Sequence, residues 1–161
     1  MTNNLGVSFK AIAGGATAGI ATIIIMAYNG LHIGTIGALV TKYGLGYPFW
    51  AFVAPHGALE LPAIFLAGGA GLLIGKAMVF PGEYGRIDAL KINGQKAAQL
   101  TFGIIPMLII AGVIEGFFSP SPAIPSAFKY LAGSIIFGLL FLYLNKKKPT
   151  SDNITETKSA L

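Results

Sequence analysis

The sequence predicts an all-α membrane protein, a compact bundle of about five hydrophobic helices with almost no soluble domain. Three observations carry this reading. Only 11% of the 161 residues are charged, against 54% hydrophobic, whereas a water-facing domain carries about 25% charged residues. From Ala11 to Thr41 the chain has no formal charge, and one bilayer crossing needs only about 20 apolar residues. Glycines recur at the four-residue spacing that lets helices approach closely in lipid.

The elements follow in order. Met1 to Phe9 has no basic leader region, and the apolar run from Ala11 is too long for a signal peptide. A retained first helix is expected over Gly6–Tyr28. Asn29-Gly30 reads as a turn, followed by a short second helix over Leu31–Tyr43 that either crosses with little tilt or enters the bilayer without crossing. Gly44-Leu45-Gly46-Tyr47-Pro48 is the next break. The apolar region Phe49–Phe80 contains Pro55 and Pro62. Each proline removes a backbone donor and crowds the preceding turn, so this third helix is expected to be broken or kinked, with Pro55 opening its second half.

Pro81 to Lys96 is the one substantial polar connection. Arg86, Lys91 and Lys96 stand there against Glu83 and Asp88. Ile87, Leu90 and Gly94 can share one face of a short amphipathic helix at the membrane surface; a solvated loop helix fits equally. A fourth helix is expected over Ala97–Phe117, a proline-rich uncharged loop to Pro125, and a fifth helix over Ser126–Leu144. The expected division is thus a transmembrane domain over 1–145 and a disordered polar tail over 146–161, which opens with Lys146, Lys147 and Lys148.

The net charge is +5, with the basic residues at the ends of apolar runs. Basic connections face the cytoplasm. A multi-pass cell-membrane protein is therefore expected, with the Pro81–Lys96 segment and the C-terminus inside and the Ser119–Pro125 loop outside. No basic stretch is interleaved with exposed aromatics, so nucleic acid is not an expected partner. The absence of cysteine excludes disulfides and thiolate chemistry. No phosphate loop, dinucleotide fingerprint or nucleophile elbow is present, and no cofactor is expected.

Four G-x-x-x-G motifs stand in the chain: Gly15/Gly19, Gly30/Gly34, Gly71/Gly75 and Gly112/Gly116. Gly68 and Gly69 extend the third. They predict close helix packing, either within one chain or between copies in a homo-oligomer.

Ionisable groups inside a membrane are costly and usually have a partner or a task. His56 and Glu60 lie at i,i+4 between the two prolines, on one face and within mutual reach. Glu115 is a second carboxyl, near the outer end of the fourth helix. Asn29 and His32 lie at the first expected turn. Three readings of these groups stand open. The pair can be purely structural. It can carry protons or a cation beside a broken helix. Or the protein can be an intramembrane hydrolase in which His56, Glu60 and a third ligand from Glu115 or His32 hold a metal, although no H-E-x-x-H motif is present.

The run Pro55-His56-Gly57-Ala58-Leu59-Glu60-Leu61-Pro62-Ala63-Ile64-Phe65-Leu66-Ala67-Gly68-Gly69-Ala70-Gly71 resembles the hallmark of the stage II sporulation protein M family. Asn3-Asn4, Ala13-Gly14-Gly15, Tyr28-Asn29-Gly30, Pro81-Gly82 and Ile114-Glu115-Gly116-Phe117 match in order, so the resemblance covers about Asn3 to Phe141. It implies a polytopic membrane protein. In spore formers, the namesake works with two peptidoglycan-degrading partners during engulfment and localises them. The expected function is thus a non-enzymatic membrane scaffold or partner-localising component, embedded in the lipid bilayer as a homo-oligomer or beside other membrane proteins. The alternative is a small proton or cation transporter or channel using His56 and Glu60.

Overall fold

The computed structural model describes residues 2–146, so all of the expected tail beyond Lys146 lies outside the described residues. The described chain consists of helices and short connections, with α1 over Thr2–Ala13, α2 over Ile20–Lys42, α3 over Gly46–Val79, α4 over Arg86–Val113 and α5 over Ser126–Leu144. A short 3₁₀ turn at Gly14–Thr17 joins α1 to α2, and a π-turn at Ile114–Phe118 extends α4. Four segments are long and apolar enough to cross a membrane: α2, α3, α5, and α4 together with its π-turn.

α3 is the axis of the bundle, and α1, α2, α4 and α5 all pack against it. Among the described residues α5 touches no other helix. The buried faces carry small side chains, with Ala11, Ala63, Ala67, Ala70, Ala77, Ala97 and Ala111 all nearly inaccessible. Ile104 and Leu108 of α4 close on Ala63 and Ala67 of α3. Large apolar residues such as Phe65, Phe102, Phe117 and Leu139 point outward. Small residues inside and bulky ones outside is the arrangement expected where the solvent is lipid, because association then comes from close backbone packing.

The first break falls at Gly14–Gly19, not at Asn29-Gly30. Ala18 has φ 56° and Gly19 φ 85°, so two consecutive left-handed residues reverse the chain. Thr22 donates its hydroxyl to the Ala11 carbonyl at 2.7 Å, and Thr17 accepts from the Ala21 amide at 2.9 Å. These bonds satisfy helix-end groups that would otherwise be orphaned, the Ala11 carbonyl inside the bundle and the Ala21 amide at its surface. The turn then presses its backbone on α3. A methyl group on Gly75 would lie 2.6 Å from the Gly19 nitrogen, and one on Gly15 would collide with the Gly71 carbonyl. Asn29-Gly30 lies inside α2, which ends where expected. Gly44, at φ 74°, directs Leu45 to the Val40 carbonyl and its own amide to Thr41, at 2.8 and 3.0 Å, the Schellman closure. The short helix is therefore the first, at 12 residues, and the second runs for 23.

Two further expectations are corrected. α3 is one helix of 34 residues with Pro55 and Pro62 inside it, so it is not broken. Pro55 is buried beside Gly57 and Ala51, and packed neighbours let a membrane helix accommodate the missing donor. No separate surface helix precedes α4, since the helix starts at Arg86 and continues through Lys96 into the apolar span. Lys91 reaches back to Asp88 at 3.3 Å. The fifth helix matches its expected limits, Ser126–Leu144.

The glycine contacts give a direct test. Gly71→Ala would place a methyl against the Ala11 carbonyl and 2.6 Å from the Thr22 hydroxyl, and should destabilise the fold by about 1–3 kcal/mol. Gly69→Ala, with nothing within 4 Å of its new methyl, should be neutral or slightly stabilising through helix propensity. Thermal unfolding of both variants in detergent checks this; equal midpoints would contradict the packing described.

Candidate functional site

Among the described residues, the buried polar side chains of His56, Ser119 and Lys129 gather where α3, the end of α4 and the start of α5 meet, while Ser8 and Thr22 lie apart on α1 and α2. The π-turn makes this junction. Its wider ring runs from the Ser119 amide to the Ile114 carbonyl at 2.9 Å, and it delivers Ser119 fully buried. π-turns inserted in α-helices occur often at functional sites.

Ser119 is bonded from both sides. Its Oγ lies 3.0 Å from His56 Nδ1 on α3, with donor and acceptor set by the imidazole tautomer. Its carbonyl accepts from Lys129 Nζ on α5 at 2.7 Å. The ammonium of Lys129, a buried residue, thus sits at the C-terminal end of α4, the negative end of that helix, where a cation is favoured. The ring of Phe52 stands edge-on to His56 at 5.3 Å. One turn of α3 further, Asn4 from α1 is a hydrogen-bond partner of the Glu60 carboxyl, and Glu115 acts electrostatically on both His56 and Glu60.

The arrangement differs from the expected pair. His56 and Glu60 share a face of α3, but the His56 ring bonds Ser119 rather than Glu60. Glu115 joins them. Asn29 and His32 do not, because they lie within α2, where His32 is exposed and stacks on Tyr28 at 6.3 Å. Pro55 and Pro62 flank the site as residues of a continuous helix. Among the described residues no cluster of three or more His, Asp or Glu has the geometry to hold a metal. Sequence reasoning misses Ser119 and Lys129. Ser119 stands there only as the start of the proline-rich loop, and Lys129 is not singled out. The one available signal is a lysine within an apolar helix.

The glycine motifs also sort themselves. Gly15, Gly19, Gly71 and Gly75 face one another across the α1–α2 turn and α3, and Gly68 meets the Met26 side chain. Gly30, Gly34, Gly69 and Gly116 face open space, and Gly112 is half-buried.

The family model for stage II sporulation protein M matches residues 1–120. The chain belongs to that family. It is also similar to an uncharacterized protein of Methanocaldococcus jannaschii, 28% identical over 125 residues that cover 76% of this chain and 70% of the relative. No solved structure matches. The matched span contains α1 to α4 and both the His56–Glu60 and Ser119 parts of the polar cluster, while Lys129 and α5 lie beyond it.

The Lys129 bond is the part of the cluster whose loss is simplest to read. Lys129→Met keeps the length and apolar stem but leaves the buried Ser119 carbonyl without its donor. The expected cost is about 1–3 kcal/mol. Unfolding in detergent measures it, and an unchanged midpoint would show that the bond does not hold α5.

Proposed function

We propose that this protein is a non-enzymatic membrane scaffold that organises partner proteins through its intramembrane faces. The observation that carries this reading is the use made of the buried polar groups: the bonds they form run between elements. His56 ties α3 to the end of α4, Lys129 ties α5 to the same residue, and Asn4 ties α1 to Glu60. Groups bonded in this way fix a rigid shape, which is what a scaffold presents. Membership of the sporulation protein M family supports the reading, since its namesake is associated with partner localisation.

The second reading is a proton or cation pathway. It is favoured by the gathering of Glu60, Glu115, His56 and Lys129 within helices long and apolar enough to cross a membrane, because intramembrane ionisable groups so often line such routes. The two readings differ in what Glu60 must do. A scaffold needs its hydrogen bonding, which Glu60→Gln retains; a pathway needs its charge or its titration. We expect purified protein in liposomes to show no proton or cation flux, and Glu60→Gln to fold and assemble as the parent does. Flux in the parent that disappears in Glu60→Gln would replace the scaffold by the transporter.

The scaffold reading also assigns a homo-oligomer contact. Gly71/Gly75 and Gly15/Gly19 are occupied inside the chain, whereas Gly30 and Gly34 form an open small-residue face on α2. With the basic ends of the bundle assigned to the cytoplasm by the positive-inside rule, this face meets lipid or another helix. The double variant Gly30→Leu, Gly34→Leu should fold normally and shift native mass spectra in mild detergent from oligomer to monomer. A monomeric parent would remove the oligomer from the reading. Thiol labelling of intact cells at Ser121→Cys, but not at Gln95→Cys, checks the orientation.

A further inference from the structure

A groove of about 780 Å³ runs between α3 and α5. Ala54, Gly57, Ala58 and Leu61 of α3 form its floor, at the three- and four-residue spacing of one helix face, and Ser134 and Phe137 of α5 form its wall. It follows α3 from Trp50 to Leu66, a rise of about 24 Å, whereas one lipid leaflet contributes about 15 Å of hydrocarbon. The groove thus has the length of a spanning helix rather than of an acyl chain. It also carries polar groups that an acyl chain cannot bond. Pro62 has no amide hydrogen, so the Ala58 carbonyl lacks its usual α-helical donor. The Ser134 hydroxyl has no hydrogen-bond partner among the described residues.

The complementary group stands on α2. His32 lies within that apolar helix with its side chain exposed. It stacks on Tyr28 and has no hydrogen-bond partner among the described residues. A lipid-facing imidazole is costly unless a partner meets it. Its height matches the groove. Within one chain Met26 lies over Gly68 and Gly37 meets the Trp50 ring, so α2 runs antiparallel to α3. His32 is near the middle of the interval from Met26 to Gly37, and Ala58 is near the middle of the interval from Trp50 to Gly68. Rotation about an axis along the membrane normal leaves height unchanged, so in a cyclic assembly His32 of one copy arrives level with Ala58 of the next. We infer that α2 of a second copy docks head-to-tail in the α3–α5 groove, with its His32 imidazole donating an N–H to the Ala58 carbonyl. Gly30 and Gly34 lie beside Gly37 on the α2 face that meets Trp50 at the rim of the groove, so the docked helix also covers the open glycine face of its neighbour. This contact belongs to the homo-oligomer of the scaffold reading, on which it rests, and supplies the segment that meets that face.

α2 and α5 do not touch within the described chain, and the protein has no cysteine, so a disulfide between these helices reports the contact directly. Thr35 is one turn beyond His32, at the height of Ser134, since Gly133 meets Ala54. The variant Thr35→Cys, Ser134→Cys, oxidised in vesicles, should form an intermolecular disulfide, and neither single variant should. The disulfide should form about fivefold more slowly with His32→Phe, which keeps a ring without an N–H, and with Pro62→Ala, which returns an amide donor to Ala58. His32→Gln, which keeps a donor, should cross-link as the parent does. Equal rates with and without His32→Phe overturn the proposal. So does absence of the disulfide while native mass spectrometry of the same preparation shows an oligomer, which leaves the homo-oligomer intact and moves its contact elsewhere. A monomeric parent removes the oligomer and the docked helix together. Complete labelling of Ser134→Cys by a lipid-soluble maleimide in the assembled protein would show a groove filled by lipid and would likewise overturn the docking. Should the cysteine pair prevent folding, native mass spectra of His32→Phe and the parent are compared in mild detergent, and an equal oligomer fraction is the overturning result there.

Discussion

The backbone contact between the Gly14–Gly19 turn and Gly71–Gly75 of α3 is the constraint on which the arrangement of the other elements depends. A side chain larger than hydrogen fits at none of Gly15, Gly71 or Gly75 without moving backbone. The contact holds α1 parallel to α3, so that Asn4 arrives beside Glu60, and it sends α2 back along α3 so that Gly37 meets the Trp50 ring. In water such a reversal would be stabilised by burying large apolar side chains. In lipid there is no such driving force, and helices associate through the closeness of approach and through satisfied polar groups. The Thr22–Ala11 bond provides the second of these at the point where glycines provide the first.

The polar cluster solves a related problem at the other end. α5 packs on α3 alone among the described helices, and a small residue again makes this possible, since a methyl on Gly133 would lie 2.6 Å from the Ala54 carbonyl. Apolar contact between two membrane helices leaves their axial register weakly defined. The Lys129 bond to Ser119 supplies a register, because an ammonium in this position has one carbonyl to meet. The π-turn has a clear role here. By widening the last turn of α4 it places the Ser119 hydroxyl toward α3 while its carbonyl faces α5. A regular α-helical turn would have rotated one of these groups away.

Much of this is legible in the sequence, and what is not has physical causes. The membrane class, the helical content and the limits of α5 follow from long apolar runs and charged ends, which local composition encodes directly. The break between α1 and α2 is not legible at its true place. Asn-Gly is a strong turn signal in water, where a freed amide finds solvent. Inside a bilayer every backbone group must be bonded internally, and staying helical is how α2 does that across Asn29-Gly30. The same demand keeps α3 helical through Pro55 and Pro62. Conversely, the real reversal at Ala18-Gly19 is tolerable because Thr17 and Thr22 replace the missing helix bonds within the turn itself. At the site, His56, Glu60 and Glu115 stand out as ionisable residues in apolar runs. Ser119 does not, because its importance comes from a π-turn and a tertiary contact rather than from its neighbours in sequence.

The division between occupied and open surfaces bears on function more than the residue types do. Sequence reading gives four equivalent glycine motifs, but the fold closes two of them and leaves Gly30/Gly34 facing outward on α2. It likewise gives eleven basic residues, but joins Lys76 and Lys96 at one pocket while burying Lys129 on the opposite side of the membrane-spanning region. The bonds of His56 and Lys129 to Ser119 fix the register of α3, α4 and α5, and the surface this register shapes, the open α2 face included, is what the scaffold reading offers to another helix.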